Sequence, residues 1–226
     1  MNKNLISQQR DIYRKQFLAH GDNPNATYNQ SESIQHLRFS SLLEDLDLDL
    51  DRETTVHDVG CGLCDLYPYM LNRFPHVTYS GTEIVPEMGK LAASKFPDIQ
   101  LFIRDLITDE TTERYDFVVI SGVFNLPGST PRDEWEAFSR ALLRRIYEIS
   151  IKGIAFNFLN ASAAEYIDPA MHYENPSDVA EFCMSNFSRF VNINQAYPLF
   201  EFTTTVLKPD YVKEKYSNLA FQRFIR

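Results

Sequence analysis

No stretch of this 226-residue chain stays apolar for the length that a membrane helix requires. The opening MNKNLISQQRDIYRKQF lacks a continuous apolar segment and does not read as a signal peptide. Cysteine is scarce and odd in number, with Cys61, Cys64 and Cys183 alone, which does not suit a secreted disulfide framework. A reduced, cytoplasmic setting is the expectation. Basic residues are in the minority, 22 against 31 acidic, for a net charge of −9 and a pI near 5.0. A domain built to grip phosphate backbones usually carries the opposite balance, so nucleic acid is not an expected partner. No internal repeat or low-complexity tract is visible.

What is present is an ordinary globular composition, 44% hydrophobic and 23% charged, long enough for one sizeable core. Twelve tyrosines and 17 phenylalanines supply that core and leave material for an aromatic-lined small-molecule pocket. The first third looks helical and polar. Ile34, Leu37, Leu42, Leu43 and Leu46 fall roughly on one helical stripe. The acidic run EDLDLDLD from Glu44 to Asp51 then interrupts it. With leucines between the aspartates and no glycine for a turn, that run is no calcium loop and reads as a solvated connector. The first fifty residues are expected to form a helical extension or lid, and residues 51–226 the main domain.

The middle alternates strand and helix. Thr54–Gly60, Val77–Ile84, Ile99–Asp105, Tyr115–Ser121 and Gly153–Leu159 read as strands. Leu63–Phe74, Pro86–Phe96 and Trp135–Ser150 read as the helices between them, and Asp178–Phe187 as a helix after the fifth strand. That rhythm predicts a doubly wound, mostly parallel α/β sheet. At the end, Phe190–Gln195 and Phe200–Leu207 are separated only by Ala196–Leu199. So short a link cannot hold a crossover helix, so the two should pair antiparallel.

The sharpest chemical signal is His57-Asp58-Val59-Gly60-Cys61-Gly62-Leu63-Cys64-Asp65, where the first strand meets the first helix. Glycines there let the backbone pass close to a ligand, and a helix N-terminus offers free N–H groups. Glu83 ends the second strand, the position that hydrogen-bonds ribose hydroxyls in doubly wound folds. Together they predict an adenosine-containing ligand. Asp65 stands where the nicotinamide fingerprint has its last glycine, and Asp58 lies two residues before the first glycine. Both would oppose a pyrophosphate and suit a cationic ligand, and S-adenosylmethionine carries a sulfonium and an α-ammonium. Cys61 and Cys64 also form a CxxC, but the following strands do not suit a thioredoxin-like site. No zinc-ligand spacing is present, and nothing implies a metal. His57, inside a buried strand, is expected to be a hydrogen-bonded core histidine. Arg38 shares the inner stripe of the N-terminal helix and needs a carboxylate, from a ligand or from the protein.

The motifs VHDVGCGLCDL, TEIVPEM, FIRDL and YDFVVISGVFNL, with the terminal hairpin, resemble those of class I S-adenosylmethionine-dependent methyltransferases over roughly Asp51 to Lys208. The resemblance implies a seven-stranded sheet with an antiparallel terminal hairpin whose last strand is inserted into the sheet, and S-adenosylmethionine as cofactor. It implies Asp58, Gly60 and Gly62, with Cys61 between the glycines, around the methionyl end. Glu83 would take the ribose, Ile84 the adenine face, and Asp105 the adenine amino group with Leu106 beside it. Ser121 and Gly122 would lie next to the sulfonium, and Arg38 is a candidate clamp for the methionine carboxylate. Cys64 stands where the family usually has a third small residue, and its side chain is expected to narrow the turn.

The expected acceptor is a small metabolite methylated on oxygen or nitrogen, since SGVFN replaces the Asn/Asp-Pro-Pro-Tyr of enzymes acting on exocyclic amino groups. Phe124, Asn125, Tyr166 and Tyr173 are the candidate acceptor contacts. His172, and after it His20, are the candidate general bases. Two other readings remain open: a methyltransferase-fold partner or regulatory protein without turnover, kept alive by Cys64, and a nicotinamide oxidoreductase.

Overall fold

A computed structural model describes residues 3–23, 31–48, 52–163 and 167–225. Its sheet is built around β4 (Tyr115–Ile120), whose Phe117, Val118, Val119 and Ile120 are all fully buried. A strand covered on both faces demands such a continuous apolar run. β4 lies parallel between β1 (Thr54–Val59) and β5 (Ser150–Asn160). β2 (Val77–Glu83) and β3 (Gln100–Ile103) extend the parallel sheet beyond β1. On the other side β8 (Glu201–Leu207) pairs antiparallel with β5, and β7 (Val191–Asn194) closes the edge antiparallel to β8. The order is β3-β2-β1-β4-β5-β8-β7, with the two-residue β6 (Tyr173–Glu174) pairing in parallel with the end of β5. The mostly parallel sheet and its terminal hairpin are those expected from the sequence, with β6 as an eighth strand.

Helices cover both faces. α5 (Arg132–Ile149) places Trp135, Phe138, Leu142, Ile146 and Ile149 three or four residues apart, and all are buried in the cluster that includes Val118 and Ile154. α4 (Pro86–Lys95) and α6 (Pro176–Asn186) both start on a proline, whose missing N–H costs nothing in a first turn. α3 (Leu66–Leu71) is shorter than the sequence suggested, because the preceding turn occupies residues 60–64 with positive φ at Gly60, Gly62 and Cys64. α1 (Lys3–His20) and α2 (Glu32–Leu43) form the N-terminal region, with the Ser31 hydroxyl capping α2. Two helices not read from the sequence, α7 (Pro209–Lys215) and α8 (Leu219–Gln222), follow β8.

The acidic run after α2 is not simply a solvated connector. Leu46 and Leu48 are buried, and the intervening acids reach the other end of the chain. Asn194 donates to Glu44, Asn192 to Asp45, and Tyr211 and Lys215 to Asp47. The alternation that resembled a loop is a strand-like pattern, apolar inward and acidic toward β7 and α7. Residues 49–51 lie outside the described residues.

Candidate active site

The carboxyl ends of β1, β2, β3 and β4 open into one cavity of about 510 Å³. That lies within the usual range for small-molecule sites. α1, α2, α5, the segment after β4, Leu159, Met171 and the segment Pro198–Glu201 complete its wall.

At one end is the turn after β1. Gly60 and Gly62 have φ of +71° and +57°, the left-handed region that glycine enters without strain. The Gly60 and Cys61 N–H groups donate to the Thr82 carbonyl at 2.8 and 3.1 Å, which fastens the turn to β2. A Cβ at Gly60 would run into a methyl group of Val123, so the bare backbone is needed on steric grounds as well. Cys64, at φ +61°, is the non-glycine residue in this region among the described residues. Its side chain is fully buried in the core around Phe39, Tyr69 and Tyr79, with its sulfur 3.5 Å from that of Cys61. Cys61 lines the cavity and Cys64 does not, so the expected narrowing by Cys64 does not occur.

Glu83, at the end of β2, is 5% exposed and lines the cavity. Its Oε1 accepts from the Ile84 and Val85 N–H groups at 2.8 and 2.7 Å, and its Oε2 from Gly62 at 2.8 Å. Burial raises its pKa, and these three donors oppose the shift. A carboxylate has about four lone-pair sites, so Oε2 keeps capacity for a ligand hydroxyl. Asp58, in β1, accepts from the Tyr79 hydroxyl at 2.9 Å. Burial pushes its carboxyl up to about 7, with Glu83 and Asp65 adding repulsion and Tyr79 opposing it. His57 is a core residue, as expected: its ring nitrogens lie 2.8 Å from Ser80 Oγ and 2.9 Å from Thr82 Oγ1, and it stacks on Tyr115. Burial lowers its pKa to about 3, which keeps it neutral. Asp105 lines the cavity, but its carboxylate also caps its own loop, accepting from Ile107 N–H and the Thr108 hydroxyl.

Apolar side chains, Phe39, Leu126, Leu159, Met171 and Leu199, also line the cavity. Arg38 reaches into it and is held by Glu201, donating from Nε to both carboxylate oxygens at 3.0 and 2.9 Å. Asn157 Nδ2 donates to the same carboxylate, and Asn157 Oδ1 accepts from the Gly122 N–H at 2.8 Å. Arg38 thus has a protein carboxylate as partner, the second of the two alternatives open from sequence. Glu201 and Asn157 were missed. The available signal was the lone acid in FEFTTTVL and the lone amide in GIAFNFL, polar groups in strands that otherwise read as buried.

The residues expected at the cofactor all line the cavity: Asp58, Gly60, Cys61 and Gly62, then Glu83, Ile84, Asp105 and Leu106, with Ser121 and Arg38. Asn125 joins them, and its Oδ1 is buried with no partner among the described residues. Four expected acceptor-side residues lie elsewhere. Phe124 is fully buried, stacked on Phe158, because the chain turns inward there. Tyr173 belongs to β6 and uses its hydroxyl to accept from the Asp168 N–H. His172 is 4% exposed, 3.3 Å from Glu174, which also pairs with Arg140, so its ring braces the loop instead of facing the cavity. His20 is exposed at the end of α1, away from the wall. Tyr166 lies outside the described residues.

The wall suits the ligand that the sequence suggested. Asp58, Glu83 and Asp105 on the wall match a cation and ribose hydroxyls. Among the described residues no helix is long and apolar enough to cross a membrane, and no three side chains cluster as a metal site.

No family model matches the chain. Rv1506c of Mycobacterium tuberculosis, named a methyltransferase, is 31% identical over 156 residues, 68% of this chain and 93% of that protein. Among solved structures, the N-methyltransferase NodS from Bradyrhizobium japonicum, in complex with S-adenosyl-L-homocysteine, has a TM-score of 0.61 at 12% identity, covering 89% of this chain and 98% of that one. A DhpI–SAH complex has a TM-score of 0.63 at 15% identity, covering 92% and 100%. With this sheet order, this glycine turn and a relative matched over nearly its whole length, the chain belongs to the class I S-adenosylmethionine-dependent methyltransferases.

Proposed function

We propose that this protein transfers the methyl group of S-adenosylmethionine to an oxygen or nitrogen of a small metabolite bound in the same cavity. The observation that carries this is a single cavity whose wall combines Asp58, Glu83 and Asp105 with the apolar Leu126, Leu159, Met171 and Leu199, with Ser121 and Gly122 also on it. The cofactor, when bound, supplies an electrophilic methyl on a sulfonium. Asp58 faces its ammonium, Glu83 Oε2 its ribose, and Ile84 and Leu106 its adenine. Asp105 takes the adenine amino group with whatever capacity its own loop leaves. Gly122, with open space where a Cβ would stand, leaves room beside the sulfonium.

The protein's part is proximity and dryness, since displacement at a methyl carbon needs alignment more than proton transfer. Among the described residues no histidine lines the cavity. This favours an acceptor that brings its own lone pair, an amine or an acidic hydroxyl, over one needing His172 or His20 as base. Asn125, with its buried Oδ1, orients that acceptor. α1 and α2 act as a lid, since residues of both helices line the cavity.

The test is calorimetric titration with S-adenosylmethionine and S-adenosylhomocysteine, on wild type, Glu83→Ala and Gly60→Val. Micromolar binding by wild type, lost in both variants, is the expected result. Absence of wild-type binding to either ligand rejects the proposal. For the acceptor, radiolabelled cofactor in a lysate should mark the low-molecular-mass fraction. Label confined to protein or nucleic acid would reject the small-metabolite reading.

A further inference from the structure

Helix α1 carries leucine, glutamine and tyrosine at positions 5, 9 and 13, four residues apart on its inward side. Leu5 packs into the cluster that contains Leu106, and Tyr13 packs against Leu63, Val85 and Met88. Gln9 sits between these two apolar anchors. It is 3% exposed, lines the cavity, and its Nε2 has no hydrogen-bond partner among the described residues. Burying an unpaired amide donor is costly, so such a group is rarely retained without something to meet it. The next residue fixes the position of this helical turn. Arg10 Nε donates to the Ile84 carbonyl at 2.9 Å, which holds this turn of α1 over the carboxyl end of β2.

We propose that Gln9 is a ligand-binding residue, donating an Nε2 hydrogen to a neutral acceptor atom, a ribose oxygen or ring nitrogen, on the nucleoside half of the bound molecule. The proposal rests on the cofactor reading above. It makes α1 part of the binding site and not only its cover. The amide donates without adding charge, next to a wall that already carries the Asp58, Glu83 and Asp105 carboxyls.

The test compares wild type with Gln9→Met and Gln9→Leu, apolar replacements of similar volume, in titrations with S-adenosylhomocysteine and with adenosine. Both variants should bind both probes about tenfold more weakly, the worth of one hydrogen bond in a dry site. In thermal unfolding of the protein alone they should melt at or above the wild-type temperature, since the orphaned donor is gone. Unchanged affinity for both probes overturns the proposal. Weakened binding of S-adenosylhomocysteine with unchanged adenosine binding also overturns it, because the amide would then address the amino-acid end. A fall in melting temperature with unchanged affinity identifies Gln9 as structural. If wild type binds neither probe, the cofactor reading fails and this assignment falls with it, whereas wild-type binding that both variants keep overturns this assignment alone.

Discussion

In the protein by itself, burial favours the neutral form of Asp58, whose carboxyl is pushed up from 3.8 to about 7. Between those values the folded chain holds a proton that the unfolded chain has released. Stability from this group therefore falls as pH rises from about 4 to about 7. Asp58→Asn should raise the melting temperature at pH 8 and leave it unchanged at pH 4. Ligand binding should run the other way. An ammonium group favours ionised Asp58, so affinity for S-adenosylhomocysteine should strengthen up to tenfold per pH unit below 7 and level off above it. Titrations at pH 6, 7 and 8 would show this. A flat profile, or a slope that survives in Asp58→Asn, would remove Asp58 from the site. The glycines, Asp58 and Glu83 were legible in the sequence because residue type and strand-end position coincide there. Gln9, Asn157 and Glu201 were not, since their meaning depends on which distant element each one faces.

At the scale of elements, the N-terminal helices are held in unequal ways. The polar contacts of α1, such as Arg14–Glu87, are exposed and weak, so its apolar stripe does most of the holding. α2 is tied through Arg38 to Glu201 of β8, and through Asn157 of β5 to the Gly122 N–H at the end of β4. Arg38→Met leaves Glu201, 3% exposed, without its cation. The expected cost is about 2–3 kcal/mol in urea unfolding, toward the low end for a buried pair because Arg38 keeps some contact with solvent. The double variant Arg38→Met, Glu201→Gln should recover most of that loss. If the single and double variants are equally unstable, the pair is not what holds α2. The short α7 and α8 escaped the sequence reading for a related reason. Helices of seven and four residues carry too little periodicity to stand out, and their packing, as with Tyr211 against Phe117, is tertiary.

Across the whole molecule, sheet order followed from two readable features. Apolar runs alternating with helices imply parallel crossovers, and a four-residue gap forbids one. That β8, not β7, lies against β5 follows only from the family resemblance, since by their residues both runs fit either place. That arrangement governs how the chain is made. Synthesis proceeds from the N-terminus, yet the final strand is an interior one, flanked by strands finished earlier. Until residue 207 has emerged, the long β5 waits with one row of backbone N–H and C=O groups unmet, an open template for a neighbouring chain. A chain stopped after Phe200 should therefore collect in the insoluble fraction, while one stopped after Lys215 should remain soluble. Soluble product from the shorter chain would contradict this. The nascent sheet stays unfinished until the hairpin that completes it has emerged.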